Sequence, residues 1–359
     1  MPSSKETFLS LIRLGIGHRP DIFPQDINWE ATQALANAQG LSAVVLDGIE
    51  EWRKQDSAIS FPEKRFLTRW IGEVLQGYEY RYELYRRALA EMAGFYNSHG
   101  YKMMVLKGYA CSLDWPKPEH RPTGDIDIWQ FGRQKEADAA LVREKGIEID
   151  SSHHHHTVFY WRDFMVENHY DFVNVHAHRS SAEMEKVFKE LGKDESHSVE
   201  IYGERVYLPS PNLHALFLIK HMISHFAAAE ISLRQVLDWA FFVEKHTEEI
   251  DWEWLNKMIV EYHMKDFVSC VNAICVESLG FKASIFHGVQ FNPELKDRVL
   301  ADIISPAYGT ADPKGMIAKL AYKYRRWKGN AWKQELCYAE SRWENFWTLL
   351  KSHLIKPKV

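Results

Sequence analysis

At 359 residues, 46% of them hydrophobic, the chain has room for two or three domains with sizeable cores. Lys and Arg total 44 against 49 Asp and Glu, a net charge of −5 (44 − 49), which excludes the global basic field of duplex-DNA binders and leaves any nucleic-acid partner needing a local patch. The scattered Cys111, Cys270, Cys275 and Cys337 read as reduced thiols; no apolar run reaches membrane-spanning length and none follows Met1–Glu6, so cytoplasm is the expected compartment.

The first part of the chain reads as helical. Thr7 to Ile16 is a short amphipathic segment, and Asn28 to Leu46 follows a cap at Asp26 or Asn28. From Phe66, apolar residues recur at spacings of three and four (Leu67, Ile71, Val74, Tyr78, Tyr82, Tyr85, Leu89, Met92). That pattern predicts a long helix ending near His99-Gly100. A short strand follows, Lys102 to Leu106, and the chain passes through Lys107-Gly108 into a helix-compatible stretch beginning at Tyr109. A strand that feeds through glycine into a helix start offers backbone N–H groups to a phosphate, and Lys107 adds a point charge.

The run Arg121-Pro122-Thr123-Gly124-Asp125-Ile126-Asp127-Ile128-Trp129 is the most informative. Alternation along a strand puts Asp125 and Asp127 on the same side, about 7 Å apart along the chain. Adjacent carboxylates repel unless solvated, as at an exposed sheet edge, or bridged by a divalent cation. Mg²⁺ held by such a pair together with substrate phosphates is a recurring arrangement. Arg121, just upstream, is a further candidate phosphate ligand.

Beyond this strand, Arg133 to Lys145 reads as a helix stopped at Gly146. Strand-like pieces follow at 157–162, 164–167, 172–176 and 199–208, with a helical 182–191 between the last two. From Pro211 the chain is almost entirely helix-like. A mixed sheet with helices, an α+β fold, is the expected class.

Leu106-Lys107-Gly108, Arg121 with Gly124-Asp125-Ile126-Asp127-Ile128, Val173-Asn174-Val175-His176, and His221-x-x-x-His225-Phe226 with Leu233-Arg234-Gln235-x-x-Asp238 occur in an order that resembles the uncharacterised nucleotidyltransferase family. This is a bacterial branch of the DNA polymerase β-type superfamily, and the resemblance spans roughly residues 78–246. It implies a nucleotidyltransferase-like mixed-sheet core at 78–208, between a helical N-terminal region, 1–77, and a helical C-terminal domain, 209–359. It further implies Mg²⁺ on Asp125 and Asp127, and a nucleoside triphosphate held by Lys107, Gly108, Arg121, His176 and Arg234. The acceptor hydroxyl could belong to a small molecule, a protein or an RNA. Lys107-Gly108 stands where the wider superfamily usually has Gly-Ser, a departure typical of this branch.

The family carries Glu or Asp two residues before the His of the later strand, as third metal ligand, and the matching residue is Asn174. An amide can coordinate a cation but adds no charge and cannot act as a base. Asn174 therefore motivates a second expectation, a catalytically degenerate member that binds nucleotide or a protein partner. Asp171, at an odd offset, substitutes for it only across a bulge or turn. A weaker alternative is a histidine-metal hydrolase built from His153–His156, His169, His176, His178, His221 and His225, although Met222 stands where a zinc peptidase would have Glu. Arg234 and Asp238, four apart, could pair within their helix, or Arg234, with Lys220, could face the nucleotide. The basic and aromatic stretch from Lys319 to Lys333 reads as an amphipathic helix burying its rings, with RNA binding left open. Trp343, Trp347, Leu350 and Leu354 are expected to form a terminal helix docked on the core.

Overall fold

The computed structural model describes residues 4–20, 27–55, 61–287, 290–308, 313–341, 343, 344 and 347. Three N-terminal helices, α1 (Ser4–Gly15), α2 (Trp29–Ala38) and α3 (Ser42–Gln55), precede α4 (Lys64–Val74), which continues through a π-helical stretch, Leu75–Tyr80, into α5 (Arg81–Ser98). Asn28 caps α2 by accepting the Ala31 N–H; the other predicted cap, Asp26, lies outside the described residues. The expected Asn28–Leu46 helix is broken at Gly40, whose φ of +67° is left-handed backbone that ends α2 and starts α3.

The core alternates strand and helix: β1 (Met104–Val105), α6 (Tyr109–Ser112), β2 (Ile126–Trp129), α7 (Gln134–Lys145), β3 (His156–Trp161), β4 (Phe164–His169), α8 (Ser181–Leu191), β5 (Ser198–Ile201) and β6 (Glu204–Tyr207). The six strands form one mixed sheet in the order β3-β4-β2-β1-β6-β5. The central strands β1 and β2 run antiparallel, while β2 and β4, and β1 and β6, pair in parallel.

Period-two alternation gives the sheet two different faces. Met103, Val105, Ile126, Ile128 and Val166 pack under α5 and α7 in one core. Met104, Leu106, Trp129 and Tyr207 belong to a second, larger core shared with the N-terminal and C-terminal helices. Asp127 lies between Ile126 and Ile128 and therefore points to the second side, toward the helices that follow the sheet.

Those helices are α9 (Pro211–Ala228), α10 (Leu233–His246), α11 (Trp252–Glu261), α12 (Lys265–Ala273), α13 (Pro293–Ile304), α14 (Met316–Gly329) and α15 (Ala331–Cys337). Pro211 opens α9 at its first turn, and a Ser232–Gln235 capping box opens α10. The four cysteines are buried free thiols. Among the described residues no helix is long and apolar enough to cross a membrane.

Three further expectations fail. Residues 172–176 form bends and a turn, not a strand. The N–H groups of Phe172 and Val173, which a neighbouring strand would have taken, donate instead to the Glu185 carboxylate of α8. α14 does not bury its rings: Tyr324 is exposed and Tyr322 and Trp327 are half-buried. Trp343 and Trp347 are likewise exposed, Trp343 against Trp327 rather than the core, while Leu350 and Leu354 lie outside the described residues.

Candidate active site

The site begins where β1 ends. Lys107 leaves the strand, and Gly108, with φ +66°, turns the chain into α6. A side chain there is strained and would displace Tyr85: a Cβ on Gly108 would lie 2.5 Å from the Tyr85 hydroxyl. That close approach lets Tyr85 donate a hydrogen bond to the Asp125 carbonyl, fixing the backbone just ahead of β2.

Asp125 and Asp127 then converge on one ammonium group. Lys107 Nζ lies 3.1 Å from Asp127 Oδ1 and 3.7 Å from Asp125 Oδ2. The parallel register of β2 and β4 sets Asp127 opposite Glu167 and Trp129 opposite His169, so these side chains share a face. His169 Nε2 lies 3.3 Å from Asp127 Oδ1 and 3.8 Å from Glu167 Oε2. Three carboxylates from two neighbouring strands thus meet around Lys107 and His169.

The charge is unevenly compensated. Burial would raise the Asp127 pKa, but Lys107 and the bond to His169 hold it well below the usual carboxylate range. Glu167 goes the other way: burial and the neighbouring Asp127 charge push it up to about 7. Burial lowers the Lys107 pKa, and Asp127 and Asp125 more than reverse the shift. Asp127 Oδ2 is buried with no hydrogen-bond partner among the described residues. An ionised buried oxygen without a donor, beside a carboxylate held near neutrality, is a donor set suited to a hard divalent cation. Asp127, Glu167 and His169 each offer a ligand atom within 4.8 Å of the others.

A small cavity of about 40 Å³ adjoins this cluster, lined by Lys107, Gly108, Arg121, Asp125, His221 and Arg234 among others. Its cations differ. Arg121 is buried and bidentate to Asp238, through Nε to Oδ1 at 2.7 Å and Nη2 to Oδ2 at 2.9 Å. Trp115 Nε1 also donates to Asp238, at 2.9 Å. The alternative partner of Asp238, Arg234 one helical turn earlier, is therefore left on the cavity wall, without a carboxylate at ion-pair distance among the described residues. Burial and the nearby Arg121 charge lower the Arg234 pKa. His221 Nε2 sits 3.4 Å from Lys107 Nζ, and burial followed by that ammonium keeps the ring neutral. The His221–His225 pair, rings 4.4 Å apart, thus borders the cationic side of the site.

The structure brings together Lys107, Gly108, Asp125, Asp127, Arg121 and Arg234, with Arg121 engaged by Asp238. Asn174 and His176 do not join them. Asn174 Oδ1 accepts the His176 N–H in a side-chain-closed turn, His176 is exposed near His154, and Asp171 pairs with Lys189 at 2.5 Å. Glu167 went unassigned from sequence, and His169 was read only as one of the histidines of a candidate transition-metal site, not as a neighbour of the aspartates. Their signal was present: Glu167-Asn168-His169 has a carboxylate two residues before a histidine on a strand-like run, the same spacing sought at Asn174-Val175-His176.

A mixed sheet carrying Asp-x-Asp on a central strand, a third carboxylate on the parallel neighbour and a lysine-glycine turn between strand and helix defines a nucleotidyltransferase-like protein. The model of the family described as uncharacterised nucleotidyltransferase matches residues 25–280, and the chain belongs to that family. No curated protein matches the chain. Among solved structures, it is similar to an antigenic nucleotidyltransferase-like protein from Paracoccidioides brasiliensis, with 14% identity and a TM-score of 0.36 over 56% of this chain and 96% of that one.

Proposed function

We propose that the protein transfers a nucleoside monophosphate from a Mg²⁺-bound nucleoside triphosphate to an acceptor hydroxyl, releasing pyrophosphate. The observation that carries this reading is the convergence of Asp125, Asp127 and Glu167 beside a cavity walled by Lys107 and Arg234. Asp127 Oδ2, without a hydrogen-bond partner among the described residues, and its neighbouring carboxylates fit Mg²⁺; Asp125, Asp127 and Glu167 would hold the ion, which would supply positive charge to offset that on the reacting oxygens. Lys107, the Gly108 amide and Arg234 would hold the triphosphate tail. Arg121, neutralised by Asp238, braces the cavity wall instead of giving up its guanidinium. Glu167, protonating near neutrality, is suited to take the proton of the acceptor hydroxyl.

Against the degenerate alternative, which rests on the amide at Asn174, Glu167 opposite Asp127 supports a third carboxylate in its place. The cavity has room for water but not for a triphosphate, so nucleotide entry requires Lys107, His221 or Arg234 to shift. Calorimetry with each of the four nucleoside triphosphates tests the reading. Binding is expected only with Mg²⁺, and is expected to disappear in Asp125→Asn/Asp127→Asn. Equal affinity with and without metal would overturn it.

A further inference from the structure

The nucleotidyl-transfer reading uses none of the consecutive histidines His153–His156, yet two of them are carried to the edge of its carboxylate cluster. The antiparallel β3–β4 pair sets His156 directly opposite His169, so both rings leave the same face of the sheet. His155 joins them from the bend that precedes β3. Ring centroids lie 4.4 Å apart for His155 and His156, 5.5 Å for His155 and His169, and 5.3 Å for His156 and His169. One nitrogen from each ring falls within 4.8 Å of the other two.

We propose that His155, His156 and His169 form a binding site for a divalent transition metal of the zinc class, distinct from the Mg²⁺ site and sharing the His169 edge with it. Metal–nitrogen bonds of about 2 Å at a tetrahedral centre separate ligand nitrogens by about 3.3 Å, within reach of small ring rotations from the present spacing. Stacked histidines in a core do not account for the arrangement. His156 is 6% exposed, yet neither of its nitrogens has a hydrogen-bond partner among the described residues, and His155 Nδ1 is also buried without one. Buried polar atoms left unsatisfied are costly, and one lone pair from each of the three rings is what an imidazole-liganded metal requires.

His169 adds a second observation. Its Nδ1 lies 3.1 Å from the Asp171 carbonyl, so that nitrogen carries a proton and donates it. Without metal, Nε2 donates its hydrogen to Asp127 Oδ1 at 3.3 Å, and a metal bound at Nε2 would take the place of that proton. Metal-ligating histidines are commonly oriented by donating their other N–H to a backbone carbonyl in this way. Glu167 Oε1, 3.8 Å from His156 Nε2, places negative charge beside the same position. Imidazole selects zinc, iron, nickel or copper over Mg²⁺, which prefers oxygen, so the two ions need not compete.

The inference rests on the β3–β4 geometry and not on nucleotide chemistry, so each can fail without the other. The test uses the full-length chain without an affinity tag, stripped with chelator and titrated with Zn²⁺ by calorimetry and with Co²⁺ by absorption. The expected result is stoichiometric binding, a tetrahedral Co²⁺ spectrum, and a loss of affinity of roughly 100-fold in His155→Ala and in His156→Ala. Both variants should keep the melting temperature of the metal-free unaltered chain, which reports that they fold, and any Mg²⁺-dependent nucleotide binding should persist in them. His153→Ala and His154→Ala should keep the metal affinity. An octahedral Co²⁺ spectrum, no saturable binding, or equal losses in all four variants would overturn the site; the last outcome would mean that the histidine tract binds adventitiously. If an alanine variant does not fold, the Co²⁺ spectrum of the unaltered chain decides.

Discussion

Two charged clusters flank the same small cavity, and they are built on opposite principles. On one side Arg121, Asp238 and Trp115 form a closed set: one guanidinium, one carboxylate, two parallel hydrogen bonds and an indole donor. On the other, Asp125, Asp127 and Glu167 face one ammonium group and one imidazole, and Asp127 Oδ2 has no donor among the described residues. The first cluster is complete without a ligand and joins β2's leading loop to α10. The second gains from a cation. By this contrast it is the unbalanced cluster, and not buried charge as such, that points to a ligand.

Breaking the balanced cluster has the largest expected effect on stability. Asp238→Ala strands Arg121 in the interior and should cost about 3–5 kcal/mol in denaturant unfolding, whereas Arg121→Met/Asp238→Leu should recover most of the loss. A double variant as unstable as the single one would show that this pair does more than satisfy itself.

The unbalanced cluster should respond to pH in the opposite sense to an ordinary ion pair. Glu167 titrates at about 7 in the fold, above its value in the unfolded chain. The folded state therefore holds more protons than the unfolded state between the two values. The stability contributed by protonated Glu167 is fully present below the unfolded value and is lost as pH rises through about 7. In chelator, Glu167→Gln should remove that loss and be more stable than the unaltered chain at pH 8 by about 2 kcal/mol, with little difference near pH 4. Parallel unfolding curves for the two proteins across this range would show that Glu167 is not held near neutrality.

Arg234 sharpens the comparison from the cavity side. Its guanidinium is not spent on Asp238, so its planar donors are available to a phosphate. Arg234→Lys keeps the charge but loses the fork, and should weaken nucleotide triphosphate binding by about tenfold, about 1.4 kcal/mol, while leaving the melting temperature unchanged. Unaltered affinity in calorimetry would place Arg234 outside the nucleotide site.

Much of this architecture could be read from local pattern. Glycine before Tyr101, alternating residues around Asp127 and three-four periodicity from Phe66 to Met92 place β1, β2 and the helices before them. What local pattern missed was decided at a distance. Arg121 finds its carboxylate 117 residues away, so its sequence neighbourhood could not show that it is engaged. The 172–176 strand fails because Glu185, twelve residues beyond Val173, captures its N–H groups. The third carboxylate was displaced for a subtler reason: two runs have an acidic or amide residue two positions before a histidine, and pairing with β2, not spacing, selects Glu167 over Asn174.

That choice yields the smallest expected effect and the most discriminating one. Asn174 shapes a turn by accepting the His176 N–H, and it has no place opposite Asp127. Aspartate accepts the same bond, so Asn174→Asp should preserve the turn, change stability by no more than about 0.5 kcal/mol, and leave nucleotide affinity and turnover as they were. Glu167→Gln should abolish turnover at an unchanged fold, because an amide opposite Asp127 cannot take the proton of the acceptor hydroxyl. If Asn174→Asp instead raised turnover strongly, the turn would have to open during the reaction and bring residue 174 to the metal. The balanced and unbalanced clusters would then be two states of a moving site and not two fixed designs.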